Sequence, residues 1–282
     1  VWEPGIAIEA EDQQYFKRFM GTGKNSIIKV AQDLKKSEAG DKITVGLQLK
    51  LQGDGIEGDN DIEGTDAEEG LSNYADAVYI DQRRKSTKSR GKMSEQRVPY
   101  NIRKMGRDAL GIWFGEDYDQ QIMMFLAGAR GVNANFHFGT GWTGRAGNSF
   151  TDPSYLVYGD NSGNPATSKT DLDANDKITL NTIERCLAMA ETTSPLIRPI
   201  SQGNSGQYVL LMHTFQAFDL RATLSGNDWL DIHKNTDGKD SIVYKNALGE
   251  WNGIILHKHR NVIRFSDYGG SGTVGAARAL FL

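Results

Sequence analysis

The sequence predicts an α+β fold in which helices and strands follow one another in mixed order. Three observations indicate this class: a strictly alternating apolar segment at 41–52, a long helical pattern at 101–129, and short apolar runs at 208–212 and 253–257. Alternation is typical of a half-buried strand, and recurrence at steps of three and four residues is typical of a helix. The chain contains no repeated βαβ unit and no internal repeat.

Composition excludes several classes of protein. The 282 residues are 38% apolar and 24% charged, which is typical of a folded chain able to bury its own core. The net charge of −4 argues against DNA binding through overall charge, because phosphate binding needs clustered lysine and arginine. A single cysteine, Cys186, excludes an intramolecular disulfide and a cysteine-based zinc site. The apolar runs are too short for a membrane-spanning helix, and the acidic start is not that of a signal peptide.

The N-terminal third predicts an arm followed by a strand. Residues 1–40 are polar and loosely patterned, so we expect an extended arm with one or two short helical pieces. Residues 41–52 are apolar at every second position, which predicts a strand with one buried face. The apolar residues are Ile43, Val45, Leu47, Leu49 and Leu51.

Charge then changes sign along the chain. Residues 54–69 hold eight acids and no base, which predicts a solvated loop tip. A second strand is expected at 74–82, and 83–107 holds ten bases. Together, 41–100 predict a long two-stranded excursion with an acidic tip and a basic return. An isolated two-stranded ribbon is marginal in water, so we expect it to lie on something else, such as a neighbouring copy.

The remaining elements follow in order. A long helix is predicted over 101–129, closed by Gly131, and 131–177 predict a long loop rich in glycine and asparagine. Asn181 is expected to cap a second helix with Glu184 as capping-box partner, and Thr214 to cap a third. Short strands are expected at 208–212, 253–257 and 262–265.

Several local patterns are similar to ligand sites but lack the required context. The glycines of 139–144 match a dinucleotide motif, yet no strand–helix unit surrounds them. The segments 59–70 and 171–182 begin like calcium loops without the glutamate at position twelve, which favours solvated acidic loops. His257 and His259 would share a strand face, and a structural or interfacial role is favoured over a metal site. No pattern supports catalysis, a cofactor or a metal.

The basic stretch has two interpretations. It could bind nucleic acid, but few aromatic residues are interleaved with its bases, and an acidic run lies nearby in sequence. Pairing between copies, acidic tip to basic return, explains both runs. Such pairs are individually worth about 0–1 kcal/mol and would steer register more than supply affinity.

Six blocks of sequence stand out in order along the chain: 40–44 (Gly-Asp-Lys-Ile-Thr), 53–59 (Gly-Asp-Gly-Ile-Glu-Gly-Asp), 97–100 (Arg-Val-Pro-Tyr), 180–185 (Leu-Asn-Thr-Ile-Glu-Arg), 249–256 (Gly-Glu-Trp-Asn-Gly-Ile-Ile-Leu) and 277–282 (Ala-Arg-Ala-Leu-Phe-Leu). Together they resemble the major capsid protein family of phage N-four and its relatives, over roughly 20–282. In that family the chain usually continues past the last block, so a tail is expected.

The resemblance implies the Hong Kong 97-type fold of tailed-phage capsids and supplies names for the segments. Its expected parts are an N-terminal arm (1–40), an extended β-hairpin loop (41–98), a peripheral domain with the spine helix and the glycine-rich insertion (99–177), an axial domain (178–270) and a return strand to the peripheral domain (271–282).

The resemblance also implies assembly rather than catalysis. Copies would form hexamers and pentamers of an icosahedral head that encloses double-stranded DNA without sequence-specific contacts. Assembly would take place in the host cytoplasm, with decoration, scaffold and portal proteins as further partners.

The extended loop would make the contact between subunits, with its apolar face buried on a neighbour and its charges setting the register. The residues expected in this contact are Ile43, Val45, Leu47, Leu49, Leu51, Asp59, Asp61, Glu63, Arg83, Arg84 and Arg90.

Two other classes stay open at this point. A cellular nanocompartment shell of the same fold would enclose a cargo enzyme in place of DNA. A calcium-dependent surface or adhesion protein would use the acidic loops and form no shell.

Overall fold

A computed structural model of the chain describes residues 14–22, 26–30, 40–48, 51, 53–59, 70, 73–89, 91–161, 163–194, 197, 199–202, 205–224, 226, 232 and 247–282. The chain divides into two compact units. The sheet unit comprises 1–30, 85–143 and 150–282, and the ribbon unit comprises 31–84 and 144–149.

Mixed α and β elements make up the described chain, as the sequence predicts. The α-helices are α1 (Lys92–Gln96), α2 (Ile102–Ala127), α3 (Leu180–Thr192) and α4 (Thr214–Thr223), and a 3-10 helix covers Phe16–Phe19. The strands are β1 (Met20–Gly21), β2 (Ile28–Lys29), β3 (Lys42–Gln48), β4 (Asn73–Tyr79), β5 (Gly144–Arg145), β6 (Asn148–Ser149), β7 (Asp160–Asn161), β8 (Asn164–Pro165), β9 (Ile200–Gln202), β10 (Ser205–Met212), β11 (Ala247–Trp251), β12 (Ile254–Lys258), β13 (Arg264–Tyr268), β14 (Val274–Ala277) and β15 (Leu280–Phe281).

A mixed sheet with the order β11–β12–β10–β15 forms the centre of the sheet unit. Strand β10 is parallel to β12 and antiparallel to β15, and β9 adds to β10 as an antiparallel neighbour. The predicted strands at 208–212 and 253–257 are therefore confirmed as the two central strands.

The sheet is buried on both faces. Val209 and Leu211 pack in one core cluster with α2 and the aromatic residues of the 3-10 helix, whereas Leu210 and Met212 pack in a second cluster with α3 and α4. Burial on both faces explains why β10 is a continuous apolar run and does not alternate.

The long helix is present, but its end and its buried face differ from the prediction. Asn101 caps α2 by accepting hydrogen bonds from the backbone N–H groups of Arg103 and Lys104. The helix ends at Ala127 because Gly128 takes up left-handed geometry, with φ 69°, so Gly131 does not close it. The buried face includes small and polar residues that apolar periodicity cannot detect. These are Gly111, Gly115, Asp117, Asp119 and Gln120.

The described part of the N-terminal segment contains a short helical piece, as predicted, but this piece packs into the core and is not extended. Residues 14–22 include the 3-10 helix, whose Phe16 and Phe19 are buried in the first core cluster. Asp119 of α2 accepts hydrogen bonds from the backbone N–H groups of Tyr15 (2.8 Å) and Phe16 (3.2 Å). The carboxylate thus satisfies donors that the start of a helix leaves unpaired.

Two predicted helix caps are wrong by one or two residues. The side chain of Thr179, not Asn181, caps α3 by accepting the N–H of Thr182. His213 caps α4 through a capping box with Gln216, and Thr214 is the first helical residue. The side chain of His213 can accept an N–H through Nδ1, a role that the usual list of capping residues omits.

The ribbon unit contains the predicted two-stranded excursion. Strands β3 and β4 are antiparallel over their whole length, from Lys42 opposite Tyr79 to Gln48 opposite Asn73. The short hairpin β5–β6, which lies in the glycine-rich segment 131–177, belongs to the same unit.

Candidate intersubunit surface

One face of the ribbon carries the apolar side chains of both strands. Ile43 lies directly opposite Val78, so the two side chains share a face. Val45, next but one along β3, is on the same face, as is Ile80 just beyond β4. The exposed fractions are 54% for Val45, 49% for Val78 and 50% for Ile80, while Ile43 is half-buried. A single chain therefore leaves this apolar face largely open to solvent.

The other predicted contact residues are partly outside the described residues. Leu51 and Asp59 are exposed, and Leu47 pairs with Tyr74 in the strand register. Leu49, Asp61, Glu63 and Arg90 lie outside the described residues.

The basic return begins directly after β4. Arg83 is half-buried, and Arg84 is exposed. The guanidinium of Arg84 donates to Oε1 of Gln82 at 2.9 and 2.5 Å, so its described partner is a neutral amide. The positive charge of Arg84 therefore stays close to the surface.

The hairpin β5–β6 holds this part of the ribbon through contacts that sequence reasoning missed. Arg145 donates through Nε to Oδ2 of Asp81 at 2.9 Å and through Nη2 to the carbonyl of Gln82 at 2.8 Å. Its Nη2 also lies 2.7 Å from Oδ2 of Asp81 in an ion pair. The Asn148 amide accepts the N–H of Tyr79 (2.9 Å) and donates to the carbonyl of Tyr79 (2.7 Å). The residues are 63–69 positions apart in the chain, so no local signal could reveal the pairing.

Asp81 is the anion of this contact. The backbone N–H of Gln82 and the guanidinium of Arg145 hold the pKa of Asp81 below its usual range. The carboxylate is exposed, so solvent screens its ion pair with Arg145.

The two histidines of the strand face pack against aromatic residues of the sheet unit. His257 is fully buried, and its ring centroid lies 6.1 Å from that of Phe19. His259 follows β12, and its ring lies 4.9 Å from Tyr15. Both contacts are aromatic, as expected for residues with a structural role.

Burial shifts two titratable groups beside the N-terminal 3-10 helix. Desolvation raises the pKa of Asp119 to about 6, although the N–H groups of Tyr15 and Phe16 partly oppose the shift. Desolvation and the neighbouring Arg260 lower the pKa of His259 to about 4. Both side chains line one polar cavity.

The motif-like loops have structural roles where the structure describes them. Asp171 and Asp173 accept backbone N–H groups of Thr167 and Asn175, so their carboxylates close turns. The glycine motif at 139–144 leads into the strand β5 and not into a helix. Among the described residues, no group of three His, Cys, Asp or Glu side chains could hold a metal ion, and no helix is long and apolar enough to cross a membrane.

Known proteins of similar sequence are phage capsid proteins. A family model described as phage capsid protein matches residues 1–279. The major capsid protein of Pseudomonas phage KPP25 is 33% identical over 128 residues, which are 45% of this chain and 34% of that protein. The aligned segment thus spans about a third of that relative's length.

Solved structures of similar fold are also phage capsids. The capsid of Ralstonia phage GP4 has a TM-score of 0.86 and 36% identity, over 95% of this chain and 75% of that one. The cyanophage Pam1 capsid has a TM-score of 0.66 and 22% identity, over 92% and 74%, and supports the fold alone.

The fold is that of phage capsids of the Hong Kong 97 type, which confirms the predicted fold class. The chain belongs to the phage capsid protein family. The predicted role, that of a phage major capsid protein, is confirmed. The family consists of structural proteins of the virion.

Proposed function

We propose that the chain self-assembles into the hexamers and pentamers of an icosahedral head that encloses double-stranded DNA. The observation that carries this proposal is the exposed apolar face of the ribbon. A two-stranded ribbon with an open apolar face is marginal in water, and a neighbouring copy would cover it. The likeness to the capsid of phage GP4 supports an assembly of many copies.

The apolar face would supply most of the docking energy. Full burial of an exposed valine or isoleucine side chain contributes about 1.5–3 kcal/mol. Val45, Val78 and Ile80 together would therefore stabilise the contact by several kcal/mol. Leu47, Leu49 and Leu51 would extend the same surface toward the loop tip.

Charges would set the register of the contact. Asp59, Asp61 and Glu63 would face Arg83, Arg84 and Arg90 of a neighbouring copy. The described charges of this set are near the surface, where ion pairs direct association more than they add affinity. Reversal of the three arginines should therefore block shell formation and leave a folded subunit.

Packaged DNA would be held by confinement and not by specific contacts. The net charge of −4 would not favour strong attraction of DNA to the inner wall, which would let the packaged DNA move. Assembly would occur in the host cytoplasm, with scaffold, portal and decoration proteins as further partners. The role is assembly and not catalysis.

The first experiment is negative-stain microscopy of the purified chain with mass measurement by light scattering. Closed shells, or rings of five and six copies, would support the proposal. A monomer that persists across salt and protein concentration, with or without added scaffold, would contradict self-assembly. Encapsulated enzyme in place of DNA would favour a nanocompartment, and a calcium-dependent melting temperature without shells would favour a surface protein.

Matched variants test the two parts of the contact. Val45→Glu should abolish assembly, whereas Thr44→Glu, on the opposite face of β3, should assemble normally if the apolar face is the docking face. For the charges, the triple reversal of Arg83, Arg84 and Arg90 is compared with Lys258→Glu, an exposed lysine of the main sheet. Normal assembly of the triple variant would show that the charges do not set the register.

A further inference from the structure

We propose that Arg145 and Asn148 are positioning residues that hold 79–84 in the conformation in which the ribbon docks on a second copy of this chain. This inference rests on the proposed function and assigns a role to the hairpin β5–β6. The observations behind it are the four hydrogen bonds between these two side chains and Tyr79, Asp81 and Gln82.

Asn148 acts at the outer edge of β4. In the β3–β4 register, the N–H and C=O groups of Tyr79 point away from β3, because the next residue, Ile80, bonds back to Asp41. The Asn148 amide pairs with both groups of Tyr79, as a third strand would. The unpaired edge of a strand is a template for pairing with other chains. Asn148 therefore blocks incorrect strand addition at the base of the ribbon.

Arg145 acts on the basic return. Asp81 is the only carboxylate between Asp76 and Glu95, so it could neutralise any of the arginines beside it. Arg145 occupies the Oδ2 atom of Asp81 and also binds the carbonyl of Gln82. Because the side chain of Gln82 accepts from Arg84, the contact fixes the start of the basic return and leaves the charge of Arg84 for a partner.

The hairpin is shaped to present these two side chains. Strands β5 and β6 are joined by Ala146 and Gly147, both with positive φ, which is the turn geometry that matches strand twist. Gly144 has φ 129°, and a Cβ there would overlap the Asn148 carbonyl oxygen. The last glycine of the dinucleotide-like motif is thus required by the hairpin, which explains a motif that the capsid function left unused.

Fixing a segment before it docks lowers the entropy lost on association. The effect per subunit is modest, but it acts in every copy of a shell. We expect the double variant Arg145→Ala, Asn148→Ala to raise the critical concentration for assembly by about fivefold, which corresponds to about 1 kcal/mol per subunit.

The test combines assembly with hydrogen exchange of the unassembled subunit. In the Asn148→Ala variant, the amide of Tyr79 should exchange about tenfold faster, while the amide of Ile80, bonded to Asp41, should change less. Arg145→Lys should recover part of the assembly, because it keeps the charge beside Asp81. Ser149→Ala, in the same hairpin, is the control for general damage.

Two outcomes would overturn the inference. One is an unchanged exchange rate at Tyr79, and the other is assembly of the double variant at the wild-type concentration. Failure of the wild-type chain to assemble would instead contradict the proposed function. In that case, the exchange rates alone decide whether the hairpin positions the ribbon.

Discussion

Strands β10 and β3 show two ways in which a strand buries apolar side chains. Strand β10 carries consecutive apolar residues and is covered on both faces by helices of its own chain. Strand β3 alternates, and Val45 on its apolar face is more than half exposed in the single chain. The contrast indicates that β10 is covered within its own chain, whereas we propose that the apolar face of the ribbon is covered by a second copy.

The largest expected difference between the two strands is in subunit stability. Leu211→Ala should lower the free energy of unfolding by about 2–5 kcal/mol, because it leaves a cavity in a closed core. Val45→Ala should change it by less than about 0.5 kcal/mol, because the side chain is exposed. Urea titration of unassembled subunits measures both. Equal losses would mean that the ribbon face is already buried within one chain.

A pair of glycines sharpens the same comparison. Gly128 ends α2 with φ 69°, and a Cβ there would lie 2.5 Å from the carbonyl oxygen of Thr151. Gly128→Ala should therefore destabilise the subunit by about 1–3 kcal/mol. Gly46→Ala in β3, where a Cβ would meet no atom within 4 Å, should be neutral or slightly stabilising. Thermal unfolding of the unassembled subunits distinguishes the two.

Titration should affect the sheet unit through Asp119. Its pKa is raised from 3.8 to about 6, so the folded state binds more protons than the unfolded state in that range. The contribution of Asp119 to stability is therefore full below about pH 4 and is lost as the pH rises through 6. The His259→Gln variant lacks the opposing titration of His259. Its free energy of unfolding should therefore fall as the pH rises from 4 to 6.

His259 should act in the opposite direction. Its pKa is lowered from 6.5 to about 4, so its contribution to stability is present above pH 6.5 and is lost as the pH falls toward 4. The Asp119→Asn variant should therefore gain stability from pH 4 to 6.5, while the wild-type curve is shallow because the two slopes oppose each other. Urea midpoints across this range provide the measurement. If the stability of the His259→Gln and Asp119→Asn variants changed with pH in the same direction, the pKa shifts assigned to Asp119 and His259 would be contradicted.

The smallest expected effect is a stabilisation of the ribbon unit. Ala146 has φ 49°, which is unfavourable for any residue with a Cβ. Ala146→Gly should stabilise the hairpin β5–β6 by up to about 1 kcal/mol, reduced by the entropy that glycine loses on folding. Slower exchange of the Tyr79 amide would report the gain, and faster exchange would show that the turn is not strained.

Local periodicity was sufficient for strands whose own residues carry a clear apolar pattern. The alternation at 41–52 predicted β3, and the apolar runs predicted β10 and β12. Periodicity also predicted the helix α2, but not its buried face, which contains Asp119. That carboxylate is buried because it accepts N–H groups of residues more than 100 positions away.

The candidate intersubunit surface also has one part that the sequence predicts and one part that it does not. The apolar face of the ribbon could be predicted from β3 alone, because one strand period determines it. The hairpin at 144–149 could not, because strands of two residues carry no periodic signal. Its role depends on Asp81 and Tyr79, which only the folded chain places beside Arg145 and Asn148.

The pairing of β15 with β10 has a consequence for the time at which the subunit matures. Leu210 and Leu211 lie opposite Phe281 and Leu280 in the strand register, about 70 residues later in the chain. At a synthesis rate of about 5–20 residues per second, β10 leaves the ribosome roughly 4–14 s before its partner strand. Throughout that interval, one edge of the most apolar strand is open to other nascent chains. A crowded polysome would therefore be the place where this subunit is most prone to aggregation.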